Sequence, residues 1–333
     1  SLYHFPLLKG NSNLQWNILY LDEYTEIVEF IHNFGAVSSF ECELELIRKF
    51  KEINTHTLSS ILFTEWNNRI RSTFHVCSAK AKTLLKKYEN AAAAINFKPE
   101  IVLHMAKSMK VPPTTLTRIL ISEKYKDLPK RKIIDMLKRP KLIPDKNLAR
   151  CLVISIFTDN QDGPIVDIER RCVGEEFEVK LKEMATQAGM VFADERDLRR
   201  TGFDKTPDLK LVLPCLYKGA LVHWIESKAL FGDLKTHRRY IKQQFESYIN
   251  RFGPGIVIYW FGFLDDILTL EENGEHLIII NKFPEQEFLT FLQENSSLVQ
   301  KFCKKQFLIE ITFSLYVFVV NGTKKFLYFY YEL

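Results

Sequence analysis

The sequence predicts an α+β/α/β chain: an all-α N-terminal part built from helix-turn-helix-like modules, then an α/β core on a mixed sheet. Three observations predict it. The first is length: 333 residues is long for one domain at roughly 100–200 residues each. The second is charge. Residues 69–150 carry a net charge of +14 within a chain whose total is +5, so one block holds the basic excess. The third is periodicity. Apolar residues recur at helical spacing up to about residue 140, and short β-like runs take over beyond it.

Hydrophobic residues make up 46% and charged residues 26%, an ordinary globular balance with ample core material. The six cysteines are scattered, and none forms a CxxC pair. That pattern argues against a disulfide framework or a cysteine-rich zinc site and fits a reducing compartment. No HExxH, GxxxxGK[ST], GxGxxG or GxSxG string occurs, which disfavours zinc peptidase, nucleotide-binding and hydrolase-elbow chemistry. No run of about 18 uncharged apolar residues suggests a membrane span. The chain begins with Ser1 rather than Met, which leaves room for a short preceding segment.

Residues 1–20 read as irregular. A first helical module is expected over 21–95. Asp22 is its candidate cap, and Tyr24, Ile27, Val28 and Ile31 lie on one face at i, i+3, i+4, i+7. A second helix is expected near 40–50, and a third after Thr55 or Thr57. A second, basic module is expected over 96–145. Val111-Pro112-Pro113 breaks the pattern, and Thr114 or Thr115 caps a helix over 116–125 bearing Arg118 and Lys124. Lys130, Arg131 and Lys132 follow. A helix, a proline turn and a capped basic helix suit nucleic-acid docking; the same spacings suit plain bundle packing.

From 150 to 266 the expected elements are a helix over 174–188, strands near 209–214 and 220–230, a helix over 240–252 and a buried strand over 255–263. The two strands are separated by Tyr217-Lys218-Gly219, which reads as a hairpin. Residues 267–333 form an extension without a functional reading; strands are expected at 277–280 and 307–320, and the end at 326–331 is aromatic.

Candidate chemistry converges inside the 150–266 segment. Thr206-Pro207-Asp208 begins one strand, and Glu226-Ser227-Lys228 sits in the next. Alternation points Glu226 and Lys228 to one face, and the hairpin can bring Asp208 beside them. Two carboxylates on one face repel, and Mg2+ or Mn2+ relieves that repulsion. Lys228 can then orient or help deprotonate a water and offset charge on phosphate. Glu178 on the preceding helix, with Glu175 and Glu176 as neighbours, supplies a third carboxylate. The plainer alternative for Glu-x-Lys is a surface cross-strand pair, but its apolar surroundings argue for burial. His223 falls on the opposite face and reads as structural. His237, with Arg238 and Arg239, is either a phosphate contact or an exposed helix start.

The pattern PD-x(17)-ExK after a Gly-x-x-x-Glu helix resembles the PD-(D/E)XK nuclease superfamily, which includes restriction enzymes and Holliday-junction resolvases. Three longer strings, GFDKTPD (202–208), HWIESKALFGD (223–233) and NRFGPGIVIYWFGF (250–263), resemble the codanin-interacting nuclease family of animals, over roughly residues 20–265. The resemblance implies helix-turn-helix modules ahead of a PD-(D/E)XK domain, with Asp208, Glu226 and Glu178 as metal-holding acids and Lys228 as the catalytic lysine. Gln244 matches a glutamine that some members carry near the metal or phosphate, with a surface polar residue as its alternative. It further implies cleavage of phosphodiester bonds in nucleic acid, with DNA expected, a codanin-like protein partner and nuclear or also cytoplasmic residence. The rival expectation is a non-catalytic nuclease fold that docks a codanin-like scaffold.

Overall fold

The computed structural model describes residues 18–34, 39–271 and 276–291. It is a mixed α and β molecule. The strands expected at 307–320 and the aromatic end at 326–331 lie outside the described residues.

The chain opens with β1 (Ile18–Leu19), α1 (Leu21–Asn33), α2 (Ser39–Lys49) and the long α3 (Thr55–Ala79). Asp22 is not the cap expected of it: α1 starts one residue earlier, and Glu23 accepts from the Tyr20 N–H at 3.0 Å. The cap of α3 is Asn54, whose side chain accepts from the His56 N–H at 2.9 Å, a residue type that serves this role through its short acceptor. Ile27, Ile31, Leu46, Leu58, Ile61 and Leu62 form the first core, joined by Phe231 and Leu264 from the C-terminal half.

A second core takes in α4 (Ala81–Ala92), α5 (Ile101–Met109), α6 (Pro113–Lys124), α7 (Lys130–Lys138) and α8 (Lys146–Thr158). The two helical cores therefore meet within α3, between Leu62 and Cys77, and not near residue 95. Leu148, Cys151 and Leu152 tie α8 to this core, although the sequence pattern assigned residues from 150 onward to the sheet domain. The expected helix at 116–125 begins at Pro113, a residue suited to a first helical position because it has no N–H to leave unpaired. Thr114 and Thr115 are buried inside it rather than capping it.

Helix α9 (Pro164–Gln187) starts ten residues before the helix expected at 174. Then come β2 (Phe192–Asp194), α10 (Glu195–Arg200), β3 (Leu209–Tyr217) and β4 (Ala220–Lys228). Next are α11 (Leu234–Tyr240), a π-helical turn at Ile241–Phe245, α12 (Glu246–Phe252) and β5 (Gly255–Tyr259). The described elements end with β6 (Phe263–Leu264), α13 (Asp266–Glu271), β7 (Leu277–Ile280) and β8 (Leu289–Phe291). The apolar run at 255–263 is not one strand: it turns at Trp260–Gly262, where Trp260 and Phe261 are buried as side chains of a turn.

The main sheet runs β2-β3-β4-β5-β7, with β8 also paired to β3. It is mixed: β2, β3 and β4 are antiparallel, whereas β4, β5 and β7 are parallel. It continues past residue 266, because β7 and β8 belong to it. The β3–β4 hairpin closes through Lys218 and Gly219, both at positive φ, the backbone that a two-residue turn needs to match strand twist. Gly255 has no freedom to be another residue, because a Cβ there would stand 2.2 Å from the Trp224 ring. Helix α9 covers one sheet face through Phe177, Leu181 and Ala185. The continuous helical stretch 234–252 covers the other through Phe245 and Tyr248.

The first helical core is seated on the segments that leave β4 and β5. Thr57 Oγ1 donates to the Phe261 carbonyl at 2.7 Å, and the Phe231 N–H donates to Ser60 Oγ at 2.8 Å.

Candidate active site

The antiparallel register pairs Leu209 with Ile225, which sets Asp208 opposite Glu226. Two hydrogen bonds stitch this end of the hairpin. The Ser227 N–H donates to Asp208 Oδ2 at 2.7 Å, and the Asp208 N–H donates to Glu226 Oε2 at 3.2 Å. Lys228 emerges on the same face as Glu226, and its Nζ lies 2.5 Å from Glu226 Oε1. Glu226 is only 3% exposed, so the Glu-x-Lys pair is interior, not a surface cross-strand pair.

The electrostatics follow from that burial. Asp208 is pushed well above the usual carboxylate range, first by burial and then by the charge of Glu226. Burial pulls the Lys228 ammonium down, but the charges of Glu226 and Asp208 outweigh it and hold it above the ordinary lysine value. Glu178, half-buried on α9, is raised by burial and by the charges of Glu195 and Glu226.

Gln244 falls within the π-turn, a rare helix form that often marks functional sites. Its Oε1 accepts from Lys228 Nζ at 2.9 Å. One residue that sequence reasoning missed is Tyr240. Its ring centre lies 4.7 Å from Lys228 Nζ, close enough for a cation–π contact. A second is Tyr248, four residues beyond Gln244, whose hydroxyl is raised by burial and by the charges of Glu226 and Asp208. Their spacing from Gln244 on one helical stretch was visible in the sequence, but nothing there indicated which face met Lys228.

The donor set suits a hard divalent cation. Both carboxylates are oxygen donors held close together, and Thr206 Oγ1, two residues before Asp208, is buried without a hydrogen-bond partner. Among the described residues no group of three or more His, Cys, Asp or Glu gathers as a metal set; Asp208 and Glu226 stand together, and the charge of Glu226 reaches Glu178 on α9. Two carboxylates still suffice for Mg2+, which is usually held by one or two of them together with substrate phosphates and waters.

The basic residues divide. Arg118 is ion-paired to Asp162, and Lys124 to Asp145 at 2.7 Å. Their helix α6 buries seven residues, so it is a core helix and not one presented for insertion into a groove. Lys130, Arg131 and Lys132 lie exposed at the start of α7. His237 is neither phosphate contact nor exposed helix start: it is fully buried, with Nδ1 2.9 Å from the Tyr259 hydroxyl. Burial lowers the pKa of His223, in keeping with a structural role.

Residues 144–283 match a family model described as a protein of unknown function with a TPD sequence motif; Thr206-Pro207-Asp208 falls inside that span. A Danio rerio protein named CDAN1-interacting nuclease 1 is 34% identical over 269 residues, covering 79% of this chain and 88% of its own length. The Xenopus laevis protein of that name is 35% identical over 79% of this chain and 88% of its own length. The Homo sapiens one is 35% identical over 69% and 84%. No solved structure matches the chain. Among the described residues no helix is long and apolar enough to cross a membrane.

Proposed function

The chain belongs to the family of CDAN1-interacting nuclease 1, and from that premise we propose that it is a divalent-cation-dependent nuclease of the PD-(D/E)XK type with a CDAN1-like partner. The observation that carries the reading is the convergence of Asp208, Glu226 and Lys228 at the buried end of one hairpin. Burying two carboxylates and an ammonium costs several kcal/mol per ion before pairing repays it. A purely structural hairpin has no need of that expense.

Asp208 and Glu226 would hold Mg2+ or Mn2+, which supplies positive charge at a phosphoryl oxygen and makes a water easier to deprotonate. Lys228 is a hydrogen-bond donor and fixed positive charge rather than a base, because its carboxylate neighbours keep it protonated. Its Nζ is aimed by Glu226, Gln244 and the Tyr240 ring toward where negative charge grows on the phosphate. Glu178, with its raised pKa, is suited to take the proton of the attacking water. A new P–O bond forms to that water oxygen, the bond to the leaving sugar oxygen breaks, and the leaving oxygen takes a proton from solvent. The exposed Lys130, Arg131 and Lys132 would hold the phosphate backbone of nucleic acid, with DNA as the proposed substrate.

The test is a panel of end-labelled single-stranded, duplex, flap and junction DNA and RNA, incubated with protein and Mn2+. We expect cleavage that EDTA stops and that Asp208→Asn lowers at least a hundredfold. Equal cleavage by wild type and Asp208→Asn would assign the activity to a contaminant. A second reading has one observation in its favour: Lys228 already neutralises Glu226 directly, as a structural ion pair would. In that reading the fold serves only to dock a CDAN1-like scaffold, and the panel stays uncut.

A further inference from the structure

Helix α8 has two apolar faces. Leu148, Cys151, Leu152 and Ser155 point into the second helical core. Ala149, Val153 and Phe157 repeat at four-residue spacing, which stacks them along one outer side of the helix. Val153 is exposed, and Phe157 is 74% exposed. Leaving a Phe in water forgoes about 1.5–3 kcal/mol relative to burying it. Together with Pro140 these side chains floor an open groove between α8 and the 3-10 turn at Pro140–Leu142.

The rim of the groove is basic. Lys141, Lys146 and Arg150 line it, and all three are exposed, with no ion-pair partner among the described residues. Other cations of this helical half, Lys130, Arg131 and Lys132 among them, are exposed as well, but Lys141, Lys146 and Arg150 are the ones that border an apolar floor.

We infer that this groove docks an acidic amphipathic helix of the CDAN1-like partner, with its apolar face laid on Ala149, Val153 and Phe157 and its carboxylates against Lys141, Lys146 and Arg150. The inference rests on the reading above that the chain has such a partner, and it adds the surface and the chemistry of the contact. Helix-in-groove recognition needs an apolar trough with charges at its edge. Nucleic acid fits less well. Its phosphates would meet the rim, but aliphatic side chains around a single aromatic ring offer its bases little to stack on.

The experiment measures binding of purified CDAN1 to the full chain by biolayer interferometry. The variants are Phe157→Asp and the charge reversal Lys146→Glu/Arg150→Glu. Circular dichroism checks that each remains folded, as surface positions should. We expect each variant to weaken CDAN1 binding at least about tenfold, with binding of labelled duplex DNA changed less. CDAN1 binding by the wild type that both variants retain undiminished would overturn the inference while leaving the partner reading intact. Loss of DNA binding with CDAN1 binding retained would overturn it in favour of a nucleic-acid groove. A wild type that fails to bind CDAN1 would overturn the partner reading and the inference with it.

Discussion

Two regions of this molecule carry charge in opposite ways. The helical region between 69 and 150 is rich in cations, but on α6 they are spent locally. Arg118 and Lys124 are held by Asp162 and Asp145 at partly exposed positions, where water screens the attraction. The end of the β3–β4 hairpin carries few charges, yet Asp208, Glu226 and Lys228 are drawn inward, where Lys228 pairs with Glu226 and feels the charge of Asp208. The contrast teaches that a dense run of charge marks a surface, whereas a sparse, unbalanced cluster inside a strand marks chemistry.

Removing a cation from each region should break or sharpen the contrast most strongly. Lys228→Ala leaves two interior carboxylates without their counter-charge, and breaking such a pair costs about 3–5 kcal/mol. Lys124→Ala should cost about 1 kcal/mol or less. Urea unfolding in EDTA at pH 8 measures both, and added Mn2+ should restore part of the Lys228→Ala loss. Equal losses would mean that the hairpin cluster is no more interior than the helical one.

The helical region has its own interior carboxylate, which permits a comparison within one residue type. Asp159 accepts from the N–H groups of Thr114, Gln161 and Asp162. Burial is the largest influence on it, and its pKa is raised from 3.8 to about 6. A raised carboxyl pKa favours the folded state when protonated. Its contribution is therefore full below about pH 4 and is lost as pH rises through about 6, amounting to about 3 kcal/mol at most. The stability difference between wild type and Asp159→Asn should change across pH 4 to 7; parallel profiles would count against a raised Asp159.

A smaller effect is expected at Tyr240. Replacing it by Leu keeps apolar cover on Lys228 but removes the ring face, worth about 0.5–2 kcal/mol in stability. Tyr240→Phe should be close to neutral, and equal losses in both variants would point to the hydroxyl instead. The smallest change is expected on α7. Alanine at Lys130, Arg131 and Lys132 should flatten the log–log salt dependence of duplex binding by about 0.9 for each phosphate no longer neutralised. Arg118→Ala should leave that slope unchanged, since its charge is already matched.

The candidate site was more legible in the sequence than the helical half was. A two-residue alternation fixes Glu226 and Lys228 to one face, and a tight Lys218-Gly219 turn fixes what stands opposite them. Both signals are local. The role of α6 is not local, because its buried Thr117 is satisfied by Ser155 and its Thr115 by Asp162, each more than 35 residues away. A basic amphipathic pattern there cannot be told from a core helix until those partners are in place. The apolar run at 255–263 posed a similar problem: buried Trp260 and Phe261 look like strand residues although the backbone turns beneath them. Tyr240 escaped notice because only the packing of the helical stretch against β4 brings its ring to Lys228.

The central claim is that the hairpin cluster is held short of positive charge so that a divalent cation completes it. Calorimetric titration of Mn2+ into the metal-free full chain tests this most directly, with Asp208→Asn alongside. The account predicts saturable binding by the wild type that tightens as pH rises and Asp208 loses its proton, and no measurable binding by Asp208→Asn. A wild type that takes up no Mn2+, or a variant that binds it equally well, would contradict the account and leave the cluster as a buried ion pair.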